Sequence, residues 1–209
     1  MGARIDHAIT SGTFSLDGQT FEVDNNVWVI GDDDECVVLD APHDVAAIRE
    51  VIGDRRVVAV LATHAHDDHV RVAPQLIEAT GSPLLLHRDD LVLWRQTHGS
   101  RDPDGYLVDG QEIEVAGVVL HVLHTPGHAP GAVCFDVPRL DAVFTGDTLF
   151  AGGPGATGRS YSDFGVIVES IRDRLFALPD SRAVHPGHGD TTTIGAERPH
   201  LDEWISRGH

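Results

Sequence analysis

Residues 63–69 read Thr-His-Ala-His-Asp-Asp-His, which puts three imidazoles and two carboxylates within six consecutive positions. Neutral imidazole and carboxylate are the ligands that borderline divalent metals prefer. In an extended turn His64 and His66 project to one side, and Asp68 and His69 turn toward a second position. The segment can therefore serve two adjacent ions. The plain alternative is a solvated turn that happens to be rich in His and Asp. Four ligand-type groups at this spacing, straight after a buried strand, speak against it.

Three later segments share one grammar, a short apolar run followed by a glycine turn bearing one ligand-type residue. They are Val-Leu-His-Thr-Pro-Gly-His at 122–128, Val-Phe-Thr-Gly-Asp at 143–147 and Val-His-Pro-Gly-His-Gly at 184–189. Glycine beside the polar residue permits a sharp turn and close approach to an ion. These turns add His128, Asp147 and His188 to His64, His66, Asp68 and His69. Seven groups exceed one tetrahedral site; they suit two ions with one carboxylate between them.

The elements that must position these turns are legible as apolar runs. Residues 57–62 (Val-Val-Ala-Val-Leu-Ala) contain nothing polar and read as a strand buried on both faces. Residues 70–80 read as a helix after the first ligand turn. Strands are expected at 21–31 and 36–40, joined by an acidic turn, and at 83–86, 132–137, 142–145 and 183–184. Residues 106–123 alternate in strand fashion, with turns at Gly110 and Gly117. Helices are expected at 45–52, capped by Asp44, at 89–97, at 163–178 and at 194–206. Strands dominate both halves with helices between and after them, which suits two sheets with helices packed outside.

The chain has 209 residues and a net charge of −18, its fifteen basic side chains all being arginine. That length suits one domain, residues 1–209. A strongly negative field repels phosphate backbones, so a nucleic-acid partner is not expected. No apolar run approaches a membrane span, no signal-peptide core precedes residue 15, and a cytoplasmic location follows by default. Cys36 and Cys134 sit in apolar runs and read as buried free thiols. With no lysine, every mechanism that needs a lysine amine is excluded.

The motifs resemble those of the metallo-β-lactamase-fold hydrolases, and within them the glyoxalase II (hydroxyacylglutathione hydrolase) group, over about residues 27–194. Residues 64–69 match the family's His-x-His-x-Asp-His. Thr-Pro-Gly-His at 125–128, Gly-Asp-Thr-Leu-Phe at 146–150 and Pro-Gly-His-Gly at 186–189, followed by Thr-Thr-Ile-Gly at 192–195, look like its remaining ligand turns. The resemblance implies an α+β fold, a four-layer αββα sandwich with the metals at one sheet edge. It implies His64, His66 and His128 on one ion, Asp68, His69 and His188 on the other, and Asp147 bridging. Zinc is the first expectation for both ions, with iron or manganese as alternatives. The implied chemistry places Asp68 and Asp147 at a metal-bridging hydroxide that attacks an acyl carbonyl.

Two departures concern the thiol carrier. The chain ends before the C-terminal helical domain with which two-domain members contact glutathione. The segment after Asp147 reads Gly-Gly-Pro-Gly-Ala at 152–156 where the group has Gly-Gly-x-Gly-Arg. A thiolate leaves readily, whereas an amine must first be protonated, so the expected substrate is an acyl-thioester of a small thiol. The carrier stays open among glutathione, mycothiol and coenzyme A. The alternatives are a persulfide dioxygenase, with one iron on His64, His128 and Asp147, and a lactone hydrolase on the same metals. A β-lactamase is a weaker reading, because several of those enzymes place Cys where this chain has Asp147. Asp40, at the end of a strand, is a candidate to orient a ligand histidine. Arg159 and Tyr161 are candidate substrate contacts. His87, His121, His124 and His185 are expected to pack or hydrogen-bond, and His7, His43, His98, His200 and His209 to be exposed.

Overall fold

The computed structural model describes residues 2–208. Strand β1 (Arg4–Leu16) and β2 (Gln19–Gly31) form a long antiparallel hairpin. They are followed by β3 (Glu35–Leu39), α1 (Val45–Ile52), β4 (Arg56–Leu61), the single-turn α2 (Asp67–Val70) and α3 (Ala73–Thr80). Then come β5 (Leu84–His87), α4 (Leu91–His98) and β6 (Gly105–Leu107). These strands make one six-stranded sheet in the order β1-β2-β3-β4-β5-β6, with β3 to β6 parallel.

The second sheet holds β7 (Glu112–Val115), β8 (Val118–His124), β9 (Val133–Val137), β10 (Ala142–Gly146), β13 (Ala183–Pro186) and β14 (Thr192–Thr193), in the order β14-β13-β10-β9-β8-β7. A small ribbon, β11 (Leu149–Phe150) and β12 (Gly153–Pro154), follows β10. Helices α5 (Phe164–Ser170), α6 (Ile194–Glu197) and α7 (Leu201–Arg207) complete the chain.

Period-two alternation sorts the apolar side chains into layers. On β3, Val37 and Leu39 join the core between the sheets, and Cys36 and Val38 join the core under α1, α3 and α4. A register shift between Cys36 and Val37 lets Val57 and Ala59 of β4 fall on opposite sides as well. Phe135 and Phe144 fill the inter-sheet layer, and Ile167, Ile171, Leu175 and Trp204 cover the outer face of the second sheet. The result is the helix–sheet–sheet–helix sandwich expected from the motifs.

Several expected boundaries change. Residues 4–16 had no assignment, yet they form an edge strand paired along its whole length with β2. The Asp17-Gly18 turn that closes this hairpin has positive φ at both residues, 53° and 73°, as a two-residue hairpin turn demands. The helix expected at 70–80 begins earlier and breaks. Asp67–Val70 form one helical turn that already includes Asp68 and His69, and Pro74 helps restart the chain as α3. The helix expected at 163–178 widens into a π turn at Ile171–Leu175, where Phe176 N–H donates to the Ile171 carbonyl at 2.8 Å. The last helix is interrupted by a 3₁₀ turn at Arg198–His200 that includes Pro199.

Phe135 is fully buried between the sheets. Phe135→Ala should cost about 3–5 kcal/mol, through lost transfer energy and the cavity left behind. Urea unfolding with an unchanged slope and a lowered midpoint would show it.

Candidate metal centre

The turn that follows β4 is held before any ion is considered. Asp40, just after β3, adopts a left-handed backbone with φ 65°. Its Oδ1 accepts the Thr63 N–H at 2.7 Å, and its Oδ2 accepts both the Thr63 hydroxyl and His69 Nδ1–H at 2.8 Å. That last bond fixes the tautomer of His69 and turns Nε2 inward. His128 Nδ1–H donates to the Ala156 carbonyl at 2.9 Å, and His188 Nδ1–H to the Asp24 carbonyl at 2.7 Å. Each of these rings thus presents Nε2 to the same buried space.

The turn that carries His128 is set by α5. Asp163 N–H donates to the Gly127 carbonyl at 2.7 Å, and Ser170 Oγ–H to the Pro126 carbonyl at 2.7 Å. Gly127 has φ 132°, and a Cβ there would lie 2.3 Å from Ile167 N, so only glycine admits this contact. A Cβ on Gly187 would lie 2.4 Å from Asp147 Oδ1 and 2.6 Å from His69 Cε1, inside the cluster itself.

All seven expected groups converge. His66 Nδ1 lies 3.0 Å from His64 Nε2 and 3.0 Å from His128 Nε2. Asp68 Oδ2 lies 3.3 Å from His188 Nε2 and 3.6 Å from His69 Nε2. Asp147 stands between the two groups: Oδ1 is 3.3 Å from His69 Nε2, and Oδ2 is 3.5 Å from His128 Nε2 and 3.4 Å from His188 Nε2. Asp68 Oδ1, Asp147 Oδ1 and His66 Nε2 are buried without hydrogen-bond partners. Unpartnered buried carboxylate oxygens and converging imidazole nitrogens fit divalent cations and are costly otherwise.

The two groups differ electrostatically. Burial pushes His64 well below its usual pKa, His66 down to about 3, and His128 down as well. These rings are neutral. Burial also opposes charge on His69 and His188, but Asp147 raises His69 well above its usual value and His188 to about 10. Asp68 and Asp147 are held low despite burial, Asp68 at about 2, by the neighbouring imidazoles.

The chain matches the metallo-beta-lactamase superfamily over residues 21–188, which takes in every one of these groups. It belongs to the metallo-β-lactamase superfamily. Among its relatives in that family, hydroxyacylglutathione hydrolase GloC from Haemophilus influenzae is 35% identical over 162 residues, covering 69% of this chain and 74% of GloC. The structure of TTHA1623 in a di-iron-bound form is 32% identical with a TM-score of 0.72, covering 90% of this chain and 96% of that one. ETHE1 from Myxococcus xanthus is 26% identical with a TM-score of 0.73, covering 92% and 83%. Metal-dependent hydrolysis is the chemistry that the membership and the donor set support.

Two side chains beside the family ligands escaped the sequence reading. Asn25 Nδ2 donates to Asp68 Oδ2 at 3.1 Å, while its Oδ1 accepts His43 Nε2–H at 2.8 Å. Buried Asp90 accepts the Ala65 N–H at 2.8 Å on Oδ2 and the Gly131 N–H on Oδ1. It thereby ties the turn of His64 and His66 to the loop after His128. Asp90 also opens α4, so in sequence it looks like an ordinary helix-entry residue.

Of the other described histidines, only His43 and His98 depart from expectation. His87 stacks on His124 at 4.1 Å, His185 packs edge-on against Trp28, and His121 pairs with Glu112 at 3.4 Å. His7 and His200 are exposed as expected. His43 and His98 are half-buried because they hydrogen-bond Asn25 and the Val70 carbonyl. His209 lies outside the described residues. Arg159 lies 4.7 Å over the Phe21 ring and borders a small recess that reaches His66 and His128. Tyr161 is 49% exposed and borders neither that recess nor the larger cleft beside His66.

Two outcomes follow. Loading of the Asp68–His69–His188 group with zinc at pH 7.5 should release protons from His69 and His188, and its affinity should rise with pH up to about 10. Indicator-dye titration in weak buffer measures this directly. Asp90→Asn sets an amide donor against a backbone N–H donor. It should cost about 1–3 kcal/mol of stability and lower metal affinity about 10–100-fold, measured by unfolding and by chelator competition.

Proposed function

We propose that the protein is a binuclear metal-dependent hydrolase that cleaves the acyl-thioester of a small thiol. The observation that supports the binuclear part is Asp147, whose carboxylate lies beside both ligand groups, Oδ2 near His128 of one and His188 of the other, and Oδ1 near His69 of the second. A carboxylate so placed offsets the mutual repulsion of two cations. His64, His66 and His128 would hold one, Asp68, His69 and His188 the other. When bound, such a pair polarises an acyl carbonyl and lowers the pKa of a shared water toward neutrality. The similarity to GloC supports the thioester class, and zinc remains the first choice of metal, with iron supported by the di-iron form of TTHA1623.

The chain's own residues supply the rest. Asp68 Oδ1 has no hydrogen-bond partner and would accept a hydrogen bond from a water held by the metals, orienting it. Asp40 keeps His69 Nε2 aimed inward through the Nδ1 bond. No lysine occurs in the chain to protonate a leaving group. A thiolate needs no such acid, whereas an amine does. A single-iron dioxygenase would use His64, His128 and Asp147 and leave the complete Asp68–His69–His188 group without a task. Cys36 and Cys134, buried and unpaired, fit a reducing compartment such as the cytoplasm.

Elemental analysis of active protein should give two metal ions per chain, and a fully active single-metal form would overturn the reading. Asp147→Asn keeps the shape and removes one anionic oxygen. The variant should fold normally, hold less metal, and hydrolyse thioesters with a pH profile shifted upward. Excess metal should restore occupancy more fully than rate.

A further inference from the structure

Asn25 sits in β2 with its side chain buried. The next residue, Asn26, donates its backbone N–H to the Gly187 carbonyl at 2.7 Å, so the strand is stitched to the turn that carries His188. Besides its bond to Asp68 Oδ2 at 3.1 Å, Asn25 Nδ2 lies 3.4 Å from His69 Nε2 and 3.4 Å from His188 Nε2. Those three atoms are themselves close. Asp68 Oδ2 is 3.3 Å from His188 Nε2 and 3.6 Å from His69 Nε2, and the two Nε2 atoms are 3.2 Å apart.

Four atoms whose six separations all fall between 3.1 and 3.6 Å mark the corners of a nearly regular tetrahedron. A regular tetrahedron with edges of about 3.3 Å has its centre about 2.0 Å from every corner, the length of a zinc bond to nitrogen or oxygen. The Asp68–His69–His188 group thus has a fourth corner, and Asn25 fills it.

As oriented, that corner is an amide nitrogen, which donates hydrogen bonds and offers a cation no lone pair. Rotation about Cβ–Cγ exchanges the two polar atoms of the amide within the same outline, and this terminal torsion is soft. Oδ1 then occupies the corner, a neutral oxygen donor of the kind that divalent cations accept. Nδ2 then faces His43 Nε2, which lies 2.8 Å from the other end of the amide. Burial keeps His43 neutral, so Nε2 can accept there as well as donate. His43 Nδ1 is buried without a partner, so no other bond fixes the tautomer of the ring.

We propose that Asn25 is an eighth metal ligand, its Oδ1 completing a tetrahedron with Asp68, His69 and His188 around the second ion while its Nδ2 donates to His43. The inference rests on the second ion of the binuclear reading.

A crystal structure of the zinc-loaded full-length protein should place a side-chain atom of Asn25 within about 2.3 Å of the ion at Asp68, His69 and His188. Chelator competition gives a second readout. Asn25→Ala should weaken the second zinc about 10-fold or more, at least what loss of an orienting hydrogen bond costs, and leave the first near wild type. Asn25→Asp keeps an oxygen at the corner, so it should hold the second zinc as tightly as wild type or more tightly. If Asn25 served only as a donor to Asp68, the new carboxylate would repel Asp68, and affinity would fall as far as in the Ala variant. That result, or two zincs per chain with Asn25 more than about 3 Å from the second, would overturn the proposal alone. A single zinc held by Asp68, His69, His188 and Asn25 would uphold it and defeat the binuclear reading. A single zinc held by His64, His66 and His128 would defeat both.

Discussion

His66 Nδ1 has two other imidazole nitrogens at 3.0 Å, all three rings being buried. Burial keeps these rings neutral, so a single N–H on His66 Nδ1 has to be divided between two facing nitrogens, whereas a shared cation satisfies all three. The surrounding architecture prevents the rings from turning away. The Asp40 carboxylate and the Ala156 and Asp24 carbonyls each take the far N–H of one ring and leave it a single useful orientation.

The centre is built as two unequal halves. One is neutral, made of three histidines from the sheet edge and the loop behind it. The other is charged: His69 and His188 are raised to hold their protons, against Asp68 and Asp147, which are held low. Protons there stand where a cation would stand, so the charge balance of the second half is met in either state. A hydrolase gains from this asymmetry: the neutral half favours an electrophile, and the charged half favours the exchange of protons with water.

The seven converging groups were legible because four crowd into one His/Asp-rich turn after an apolar strand and the other three each sit in a glycine turn after another. The layer order was legible because β3, β4, β9 and β10 are nearly continuous apolar runs. What stayed hidden has physical reasons. Strand β1 is an edge strand rich in Thr and Ser, and 13 residues of half-buried polar alternation resemble a disordered leader; the Asp17-Gly18 turn was its one clear signal. Asp90 shows nothing in sequence of its two backbone acceptor bonds, because both partners are distant. Asn25 sits within β2 and acquires its role only through packing against Asp68. Pro74 and the π turn in the penultimate helical segment shift boundaries without moving any apolar face.

The last candidate ligand, His188, is anchored to the Asp24 carbonyl, while Asn26 holds the carbonyls of Pro186 and Gly189 at 3.0 and 2.9 Å. These bonds join parts of the chain about 160 residues apart. During synthesis the first half emerges with its His-rich turn complete but with no far wall. Selective metal capture by the second group has to wait until residue 188 has cleared the ribosome and the two sheets have closed on each other. The order of the polypeptide thus acts as a timer: the nascent chain can show metals a partial, weakly chelating site long before it offers the finished one.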